Sequence, residues 1–478
     1  MSQLSSRLKI AIFAGVVAAP LLALAVLGAV APYGQRPHPA FPKARALAIA
    51  KQGAFDQLGK ALLDRSIVTR EAIRLKYALD YDVSRYVDTD LVVSGRGDWL
   101  YYKDDFSKMM VCIGDARIQQ ALAQVDVMTD LAAAAGLKMF VSISPDKSTV
   151  YPEYLHPLAR RYWACKTESA AALRRFMAAE APRIIDHAAP LLAEKARTQG
   201  TNLFWHQDTH WTPLGAGLAR RQLFEAVLGP RATPVPPPRL TGEMVKRETD
   251  MGNLMLLLPD NEMYEQIDSA VETQVGQIYA ATPAPGTVLL ADSFYTVTAF
   301  NDPQVFPGLQ ERHIDAPDAG DVVAKADRVI INSVERSFLG RVEGGIFHWS
   351  SSFGQALLAR NAAAGQACDD FRSVAGVEQR EGRKVFAVPP PPEGHLPCVR
   401  IVLDTTGSTL EIALPRRDGQ AGPVFREGRA FTRALPAGKQ VWVMVMPAYV
   451  GGNVLGLRQL AGAPIGLPGL EIGSMPAP

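Results

Sequence analysis

The chain has 478 residues, which is long enough for two or three domains with a large core. Its 50 basic and 48 acidic residues nearly cancel, so the charge gives no support for a nucleic-acid partner. The composition, 48% hydrophobic and 21% charged, is that of an ordinary globular protein and excludes a disordered or low-complexity chain.

The N-terminal segment, residues 1–32, has the pattern of a membrane-targeting sequence. Arg7 and Lys9 precede the uncharged apolar stretch Ile10–Pro32. About 20 apolar residues span a bilayer as a helix, whereas the core of a signal peptide needs only ~7–15. The length favours an uncleaved anchor in the inner membrane, with its basic end in the cytoplasm. A long signal peptide cleaved after Ala29–Ala31 is the alternative, and either segment would export the following chain to the periplasm.

Residues 33–90 form the next predicted segment, a helical lead-in. Its apolar residues recur at roughly helical spacing with charged residues between them: Phe55, Leu58, Leu62 and Ile67. The pattern changes after Val92, where a turn precedes the aromatic run Trp99–Tyr102, which is typical of a strand.

Residues 91–345 have the pattern of an α/β domain. Three apolar runs predict strands that are buried on both faces: Lys138–Ser144, Thr287–Ala291 and Arg328–Asn332. Helical patterns precede or separate these runs, at residues 115–135, 167–180, 188–199 and 214–228. Strands that alternate with helices favour a parallel sheet flanked by helices.

Residues 370–478 have a different pattern, that of an all-β domain. Short strand-like runs are separated by prolines, glycines and charged residues: Lys384–Val388, Val399–Leu403, Thr409–Leu414 and Val441–Met446. Regular spacing of short strands favours a sandwich-like arrangement. The prolines at 389–392 exclude a central strand there.

The four cysteines form an even set without a CxxC pair, so neither a redox motif nor a zinc ligand pair is indicated. In an exported protein such a set favours disulfides. Three pairings are open, together with the alternative of buried free thiols. We favour Cys112 with Cys165 and Cys368 with Cys398, because each pair then lies within one predicted domain.

Asp208 and His210 are the first candidate catalytic pair. In an extended segment, residues two apart project to one side, so the carboxylate could orient the imidazole. Thr212 and Pro213 fit an N-cap and a first helical residue, which places the pair in the loop just before a helix. A chance pairing is the alternative, and so is a metal cluster that includes His206.

Ser293 is the candidate nucleophile. It follows the apolar run Gly286–Asp292 and therefore stands at the carboxyl end of a predicted parallel strand, the edge at which open α/β sheets carry their sites. A serine hydroxyl needs a neighbouring base, which His210 could supply. The Ser293 backbone N–H could be one donor of an oxyanion hole. A helix cap is the alternative role for the Asp-Ser pair.

Four segments resemble the alginate O-acetyltransferase family, AlgJ and AlgX, in order and spacing. They are Trp99-Leu-Tyr-Tyr, Asp208-Thr-His-Trp-Thr-Pro-Leu-Gly-Ala, Ala291-Asp-Ser-Phe and Glu335-Arg-Ser. The resemblance implies an SGNH-hydrolase-like domain at 91–345 and an exported role in exopolysaccharide (alginate) biosynthesis. It implies that Ser293 is acylated, that His210 is the general base and that Asp208 orients it. Ala291 stands where many relatives have glycine.

The resemblance also implies partners and further site residues. The partners would be a polysaccharide acceptor, a membrane-bound O-acyltransferase as acetyl donor and other export components, with no cofactor and no metal. Lys147, Arg312 and Asn332 are candidate substrate-binding residues, and Asn332 or Asn301 could complete the oxyanion hole. The C-terminal β domain could bind carbohydrate. An acetyl esterase with the same triad and a non-catalytic polysaccharide-binding scaffold are the competing functions.

Overall fold

The structure is a computed structural model of the chain. It describes residues 14–15, 18–30, 38–43, 52–107, 112–198, 200, 203–248, 250–251, 261–296, 300–343, 345–348, 351–365, 367–374, 376–380, 383–389, 392–405, 408–418, 421–435, 438–445, 454–461 and 470–476. The predicted membrane anchor lies partly outside these residues, and within it residues 18–27 are helical. Across the described ranges, none of the helices combines the length and apolar character that a membrane span requires.

The helical lead-in contains two consecutive helices. These are α1 (Gln52–Leu63) and α2 (Ile67–Leu79), followed by a π-helical turn at Asp80–Ser84. Ser66 has extended φ and ψ angles and separates the two helices. Several of their apolar side chains are exposed, including Phe55 and Leu75. Helices at these positions agree with the apolar spacing that the sequence shows.

The described part of the region from 92 to 363 contains the central sheet and two separate two-stranded sheets. Its strands in chain order are β1 (Val92–Ser94), β2 (Leu100–Tyr102), β3 (Lys138–Ser144), β4 (Ile185–Asp186), β5 (Leu240–Glu248), β6 (Asn261–Ile267), β7 (Thr287–Ala291), β8 (Gln310–His313) and β9 (Arg328–Val334). Its helices are α3 (Asp104–Ser107), α4 (Asp115–Ala134), α5 (Lys147–Val150), α6 (Arg160–Glu180), α7 (Ala188–Thr198), α8 (Pro213–Leu228), α9 (Ser269–Ala280), α10 (Ser293–Thr296), α11 (Ala319–Val323), α12 (Glu335–Glu343) and α13 (Ser352–Ala363).

The central sheet has five parallel strands in the order β4-β3-β9-β7-β8. The predicted α/β class and parallel sheet are therefore confirmed. The three predicted strands are its inner members β3, β7 and β9, and β9 extends two residues beyond the predicted end. Every residue of β7 is buried, as expected for a strand covered on both faces.

Two apolar clusters cover the two faces of this sheet. In β7, Val288 and Leu290 belong to one cluster, whereas Leu289 and Ala291 belong to the other. This division follows from the two-residue period of a strand. The first cluster includes apolar residues of α4 and α13, and the second includes those of α8 and α9. Helices thus pack on both faces of the sheet, and the carboxyl ends of its strands are left for polar residues such as Ser293.

The C-terminal region forms two antiparallel sheets. Its strands are β10 (Asp369–Val374), β11 (Gly376–Arg380), β12 (Arg383–Ala387), β13 (His395–Thr405), β14 (Ser408–Asp418), β15 (Ala421–Leu435), β16 (Gly438–Val445), β17 (Val454–Ala461) and β18 (Leu470–Pro476). One sheet has the order β10-β18-β13-β16 and the other β11-β12-β17-β14-β15. Phe386 and Leu457 of one sheet share an apolar cluster with Val399 and Ile472 of the other. The four predicted runs lie in these strands, except that Val388 follows the end of β12 and that Met446 lies outside the described residues.

Both favoured cysteine pairings are present. Cys112, just before α4, is bonded to Cys165 in α6. Cys368, just before β10, is bonded to Cys398 in β13. Each disulfide therefore joins segments of one predicted region, the first in the α/β part and the second in the β part.

Candidate active site

Ser293 lies at the carboxyl end of β7, where it begins the short helix α10. The preceding residue, Asp292, is buried and fixes the turn with both carboxylate oxygens. Its Oδ1 accepts the Phe294 N–H at 3.1 Å, and its Oδ2 accepts the Val334 N–H at 2.7 Å. The same Oδ2 lies 2.8 Å from Arg341 Nη1. We refer to Asp292, Ser293 and their partners Val334 and Arg341 as the strand-end half of the site.

Asp208 and His210 lie in residues 203–212, which we call the Asp–His loop. The loop closes on itself, because the Thr212 N–H donates to the Leu203 carbonyl at 2.8 Å and Thr212 then caps α8. Gly215 in the first turn of α8 approaches the loop closely. A Cβ atom there would lie 2.4 Å from the Leu203 carbonyl oxygen, so only glycine fits.

The Asp–His loop and the strand-end half meet in one hydrogen-bonded series. His210 Nε2 lies 2.8 Å from Ser293 Oγ, and His210 Nδ1 lies 2.7 Å from Asp208 Oδ1. An ionised carboxylate only accepts, so Nδ1 carries the proton and Nε2 is left to accept the serine O–H. These are the contacts that a nucleophile, a base and an orienting acid require.

The environment of Asp208 favours its ionised form. Burial acts to raise the pKa of Asp208, but the hydrogen bonds and charge of His210 and the nearby Arg247 outweigh it and lower the pKa. Arg247 Nη2 lies 3.5 Å from Asp208 Oδ2. A second carboxylate, Asp250, lies 3.9 Å from His210 Nδ1. Burial and the charge of Asp208 raise the pKa of Asp250 to about 6.

The β5–β6 hairpin holds the Asp–His loop from one side. Glu262 accepts the N–H groups of His206 and Gln207 at 2.8 and 3.0 Å. Asp250, which follows β5, accepts the Thr209 N–H at 3.1 Å. Arg247 of β5 lies 4.7 Å from the centroid of the Trp205 ring, and the Tyr264 ring of β6 meets the Trp205 ring in a T-shaped contact at 4.3 Å. Sequence reasoning missed the hairpin residues, because no local motif connects them to a loop about 40 to 55 positions earlier.

Lys147 holds the same loop from another side. Its ammonium group donates to the carbonyls of Trp205, His206 and Asp208 at 3.0, 2.8 and 2.8 Å. The residue is only 1% exposed. The prediction that Lys147 binds substrate is corrected, because its ammonium group is buried and bonded to backbone.

The other substrate-binding candidates also have protein partners. Asn332 is fully buried, and its amide group donates to Ser142 and Ser144 at 3.1 and 2.9 Å. It therefore cannot reach a substrate or serve as an oxyanion donor in this conformation. Arg312 is exposed on the edge strand β8 and lies 3.2 Å from Asp318. Asn301, at 3.4 Å from Glu311, is likewise outside the hydrogen-bonded series.

His206 points away from the triad-like series. Its Nδ1 lies 3.0 Å from Asp98, and its ring stacks on Trp99 at 4.4 Å. The alternative metal cluster of His206 with Asp208 and His210 is therefore not formed. Asp208, His210 and Asp250 do place one potential ligand atom each within 4.8 Å of one another. Both nitrogens of His210 are already engaged, so this group fits the hydrogen-bonded series better than an ion.

A buried charge network lies under the neighbouring strand ends. Lys166 Nζ lies 2.6 Å from Asp146 and 2.9 Å from Glu335. Arg336 lies 2.8 Å from Asp146 and 3.3 Å from Asp105. Its guanidinium is also 5.7 Å from the Phe294 ring. The Glu335-Arg336 segment of the sequence is thus a set of charges that ties the ends of β3 and β9 together.

Comparison with known proteins gives a match to a family model and to individual proteins. Residues 92–300 match the family described as SGNH hydrolase-like domain, acetyltransferase AlgX. Among curated proteins, the chain is 29% identical over 203 residues to the probable alginate O-acetylase AlgJ of Pseudomonas fluorescens. The aligned residues cover 42% of this chain and 49% of that protein. It is 28% identical over 213 residues to the AlgJ of Pseudomonas syringae pv. tomato, at 42% and 51% coverage. The chain spans about half the length of these curated relatives.

Two solved structures are also similar. The O-acetyltransferase domain of Pseudomonas putida AlgJ is 21% identical with a TM-score of 0.36, and the match covers 52% of this chain and 92% of that one. Pseudomonas aeruginosa AlgX is 15% identical with a TM-score of 0.37, at 82% and 97% coverage.

Proposed function

Because this chain carries an SGNH hydrolase-like domain of the AlgJ/AlgX-like family, we propose that the protein is an exported polysaccharide O-acetyltransferase. Acetyl groups would pass through Ser293 to hydroxyl groups of a secreted polymer. Alginate, which the names of the curated relatives contain, is the first acceptor to test. The observation that carries the proposal is the hydrogen-bonded series from Asp208 through His210 to Ser293.

In the first half-reaction, Ser293 Oγ attacks the carbonyl carbon of the donor's acetyl group. Its proton moves to His210 Nε2, which lies 2.8 Å away. Asp208 stabilises the imidazolium that forms, because it stays ionised at the opposite nitrogen. The tetrahedral intermediate collapses when His210 returns the proton to the leaving group. The products are the acetyl-serine enzyme and the free donor.

In the second half-reaction, a sugar hydroxyl takes the place of the departed donor. His210, neutral again, removes the hydroxyl proton as the sugar oxygen attacks the acetyl-serine carbonyl. Collapse of this intermediate forms the sugar ester and returns the proton from His210 to Ser293 Oγ. The backbone N–H of Ser293 is the donor we assign to the oxyanion. The adjacent Phe294 N–H donates to Asp292 and is not available for it.

The partners follow from the chemistry and the proposed location. Acetyl-CoA is a cytoplasmic donor, so an exported enzyme requires acetyl groups delivered across the membrane. We propose a membrane-bound O-acyltransferase as the source and other polysaccharide-export components as neighbours. Residues 1–32 would anchor the protein to the inner membrane, and the C-terminal β domain at 370–478 would contribute to binding of the polymer.

The test is intact-protein mass spectrometry of the full-length chain in mild detergent, after incubation with an activated acetyl ester. Reactions are run with and without oligomers of the acceptor. Ser293→Ala is compared with Ser269→Ala, which changes an exposed serine at the start of α9. We expect one acetyl adduct that Ser293→Ala abolishes, that Ser269→Ala retains and that moves onto the oligomer.

Two other outcomes would contradict the proposal. Loss of the adduct to water at the same rate with and without oligomer would identify an esterase. Absence of any adduct in the unsubstituted protein, with the fold intact by circular dichroism, would favour a non-catalytic scaffold.

A further inference from the structure

Lys147 occupies an unusual position for a lysine, because its charged end is buried between the central sheet and the Asp–His loop. The residue follows the carboxyl end of β3 and begins α5. Its Nζ lies over the rings of Trp99 and Tyr101, at 5.7 and 5.3 Å from their centroids. A buried ammonium group requires hydrogen-bond acceptors in place of water.

The acceptors are all backbone carbonyls of one loop. The three N–H bonds of the ammonium group match the three carbonyls of residues 205, 206 and 208. Within the described residues, no carboxylate lies within ion-pair distance of Nζ. The backbone of the Asp–His loop therefore surrounds the ammonium group. The side chains of Asp208 and His210 extend from this part of the loop into the hydrogen-bonded series with Ser293.

We propose that Lys147 is a positioning residue for the acyl transfer: its protonated ammonium group holds the Asp–His loop in the curvature that presents His210 to Ser293. The inference rests on the proposed function for its kinetic part. The lysine touches neither the nucleophile nor the base, so it acts through the backbone. A neutral amine has only two N–H bonds, so one of the three carbonyls would then face a nitrogen lone pair.

The charge of Lys147 is set by opposing influences. Burial lowers its pKa to about 8, although four carboxylates act in the other direction. They are Glu262 on β6, Asp250 after β5, Asp208 in the loop and Asp105 on α3. The ammonium form is thus about nine tenths of the population at pH 7 and about one tenth at pH 9. Lys147 should therefore lose one of its three hydrogen bonds to the Asp–His loop over the same interval.

Stability should respond in the opposite direction over this interval. The pKa of Lys147 is lower in the folded protein than its ordinary value of 10.5. Between about pH 8 and 10.5 the unfolded chain binds the additional proton, so the contribution of this group to stability increases with pH. A role in fold stability alone would therefore not reduce the reaction rate as the pH rises.

The kinetic test compares Lys147→Met with the unsubstituted protein in acetyl-adduct formation from pH 6.5 to 9.5. Lys195→Met is the matched control, since Lys195 donates to the Val150 carbonyl and lies over the Tyr151 ring without reaching the Asp–His loop. Misplacement of a catalytic group by about 1 Å costs about 100-fold in rate. We expect Lys147→Met to react about 100-fold more slowly than the unsubstituted protein at pH 7. Above pH 9 the ratio of the unsubstituted rate to the Lys147→Met rate should fall toward one. A pH-independent ratio, or equal rates at pH 7, would overturn the proposal.

A second measurement does not depend on activity. Hydrogen exchange at pH 7 compares Lys147→Met with Lys195→Met and follows the Trp205 and Thr212 amides, which bond within the loop. Loss of the three hydrogen bonds that Lys147 donates should decrease protection of these amides in Lys147→Met but not protection in β3 and β9. Unchanged loop protection would overturn the positioning role. If the protein forms no adduct, the proposed function fails, whereas this exchange result still decides the role of Lys147.

Discussion

The two halves of the candidate site are held in place by different kinds of interaction. Ser293 directly follows β7, a strand whose backbone is bonded on both sides within a parallel sheet. His210 lies on a loop that is held mainly by side chains from elsewhere, among them Glu262 and Lys147. The central sheet thus fixes the position of the nucleophile, whereas the position of the base depends on side-chain contacts to the Asp–His loop.

This difference separates stability from activity. Changes around the strand-end half disturb the buried sheet and should reduce the free energy of unfolding. Changes around the Asp–His loop leave the sheet intact and should act mainly on the 2.8 Å contact between His210 and Ser293. Each of the following substitutions tests one side of that comparison.

Among these substitutions, the largest expected effect on rate is that of Asp208→Asn, in the loop half. The amide group favours the wrong imidazole tautomer, which places a proton on Nε2 where the serine O–H must donate. We expect acetyl-adduct formation to fall about 10⁴-fold, with little change in melting temperature. Asp250→Asn is the control, because Asp250 lies 3.9 Å from the same nitrogen without a hydrogen bond to it. Similar losses in both variants would refute the assignment of Asp208.

The largest expected effect on stability is that of Asp292→Ala, in the strand-end half. The substitution leaves Arg341 and the Val334 N–H without their buried acceptor. Breaking a buried ion pair costs about 3–5 kcal/mol in the free energy of unfolding, measurable by urea denaturation. The control Asp315→Ala removes an exposed carboxylate that also pairs with Arg341 and should cost only about 0–1 kcal/mol. Equal costs would contradict the comparison.

Glu262→Ala should have an intermediate effect that falls mainly on the loop. Two backbone N–H groups lose a charged acceptor, which costs about 1.5–3 kcal/mol per hydrogen bond if the geometry is kept. We expect faster hydrogen exchange in the loop and about tenfold slower adduct formation if His210 is displaced by a fraction of an ångström. Glu265→Ala, in the same hairpin but bonded to Gly242, should leave both unchanged. A loss of sheet protection instead would refute the separation.

Arg247→Ala should have the smallest effect, visible only in acid. Arg247 helps to lower the pKa of Asp208, so its removal raises that pKa. Asp208 remains ionised at neutral pH with or without Arg247, so the rate of adduct formation there should change little. The contribution of Asp208 to the free energy of unfolding, present above its unfolded pKa, should be lost at a higher pH on acidification, as measured by urea denaturation across the acid range. Lys246→Ala, an exposed neighbour, is the control for charge alone.

The parts of the fold that were predictable are those with a continuous local signal. β3 and β7 agree with their predicted bounds because contiguous apolar runs identify strands that are covered on both faces. β8 gave no such signal, since Gln310–His313 is polar and lies at the edge of the sheet. β4 is only two residues long. A strand that is polar and exposed, or only two residues long, carries little periodic information in its sequence.

The same limit applies to the site. Asp208, His210 and Ser293 stand in local patterns, a pair two residues apart and a serine at a strand end, and these three side chains meet in the structure. Their supports do not share a motif with them: Glu262 is more than 50 positions away from the amides that it accepts. Asn332 was misassigned for the same reason, because only the packing of β9 on β3 reveals that its amide is consumed inside the core.

The apolar cluster that includes α4 and α13 also includes Phe386, Val399 and Ile472 of the C-terminal sheets. Gln355 of α13 further donates to the Val443 carbonyl of β16 at 2.7 Å. Shared packing of this kind constrains how the protein can change in evolution. The C-terminal β region cannot simply be replaced by another domain, because the replacement would have to pack against the same face of α13. Divergence of this region would therefore proceed by substitution at exposed positions of these sheets rather than by recombination of whole modules.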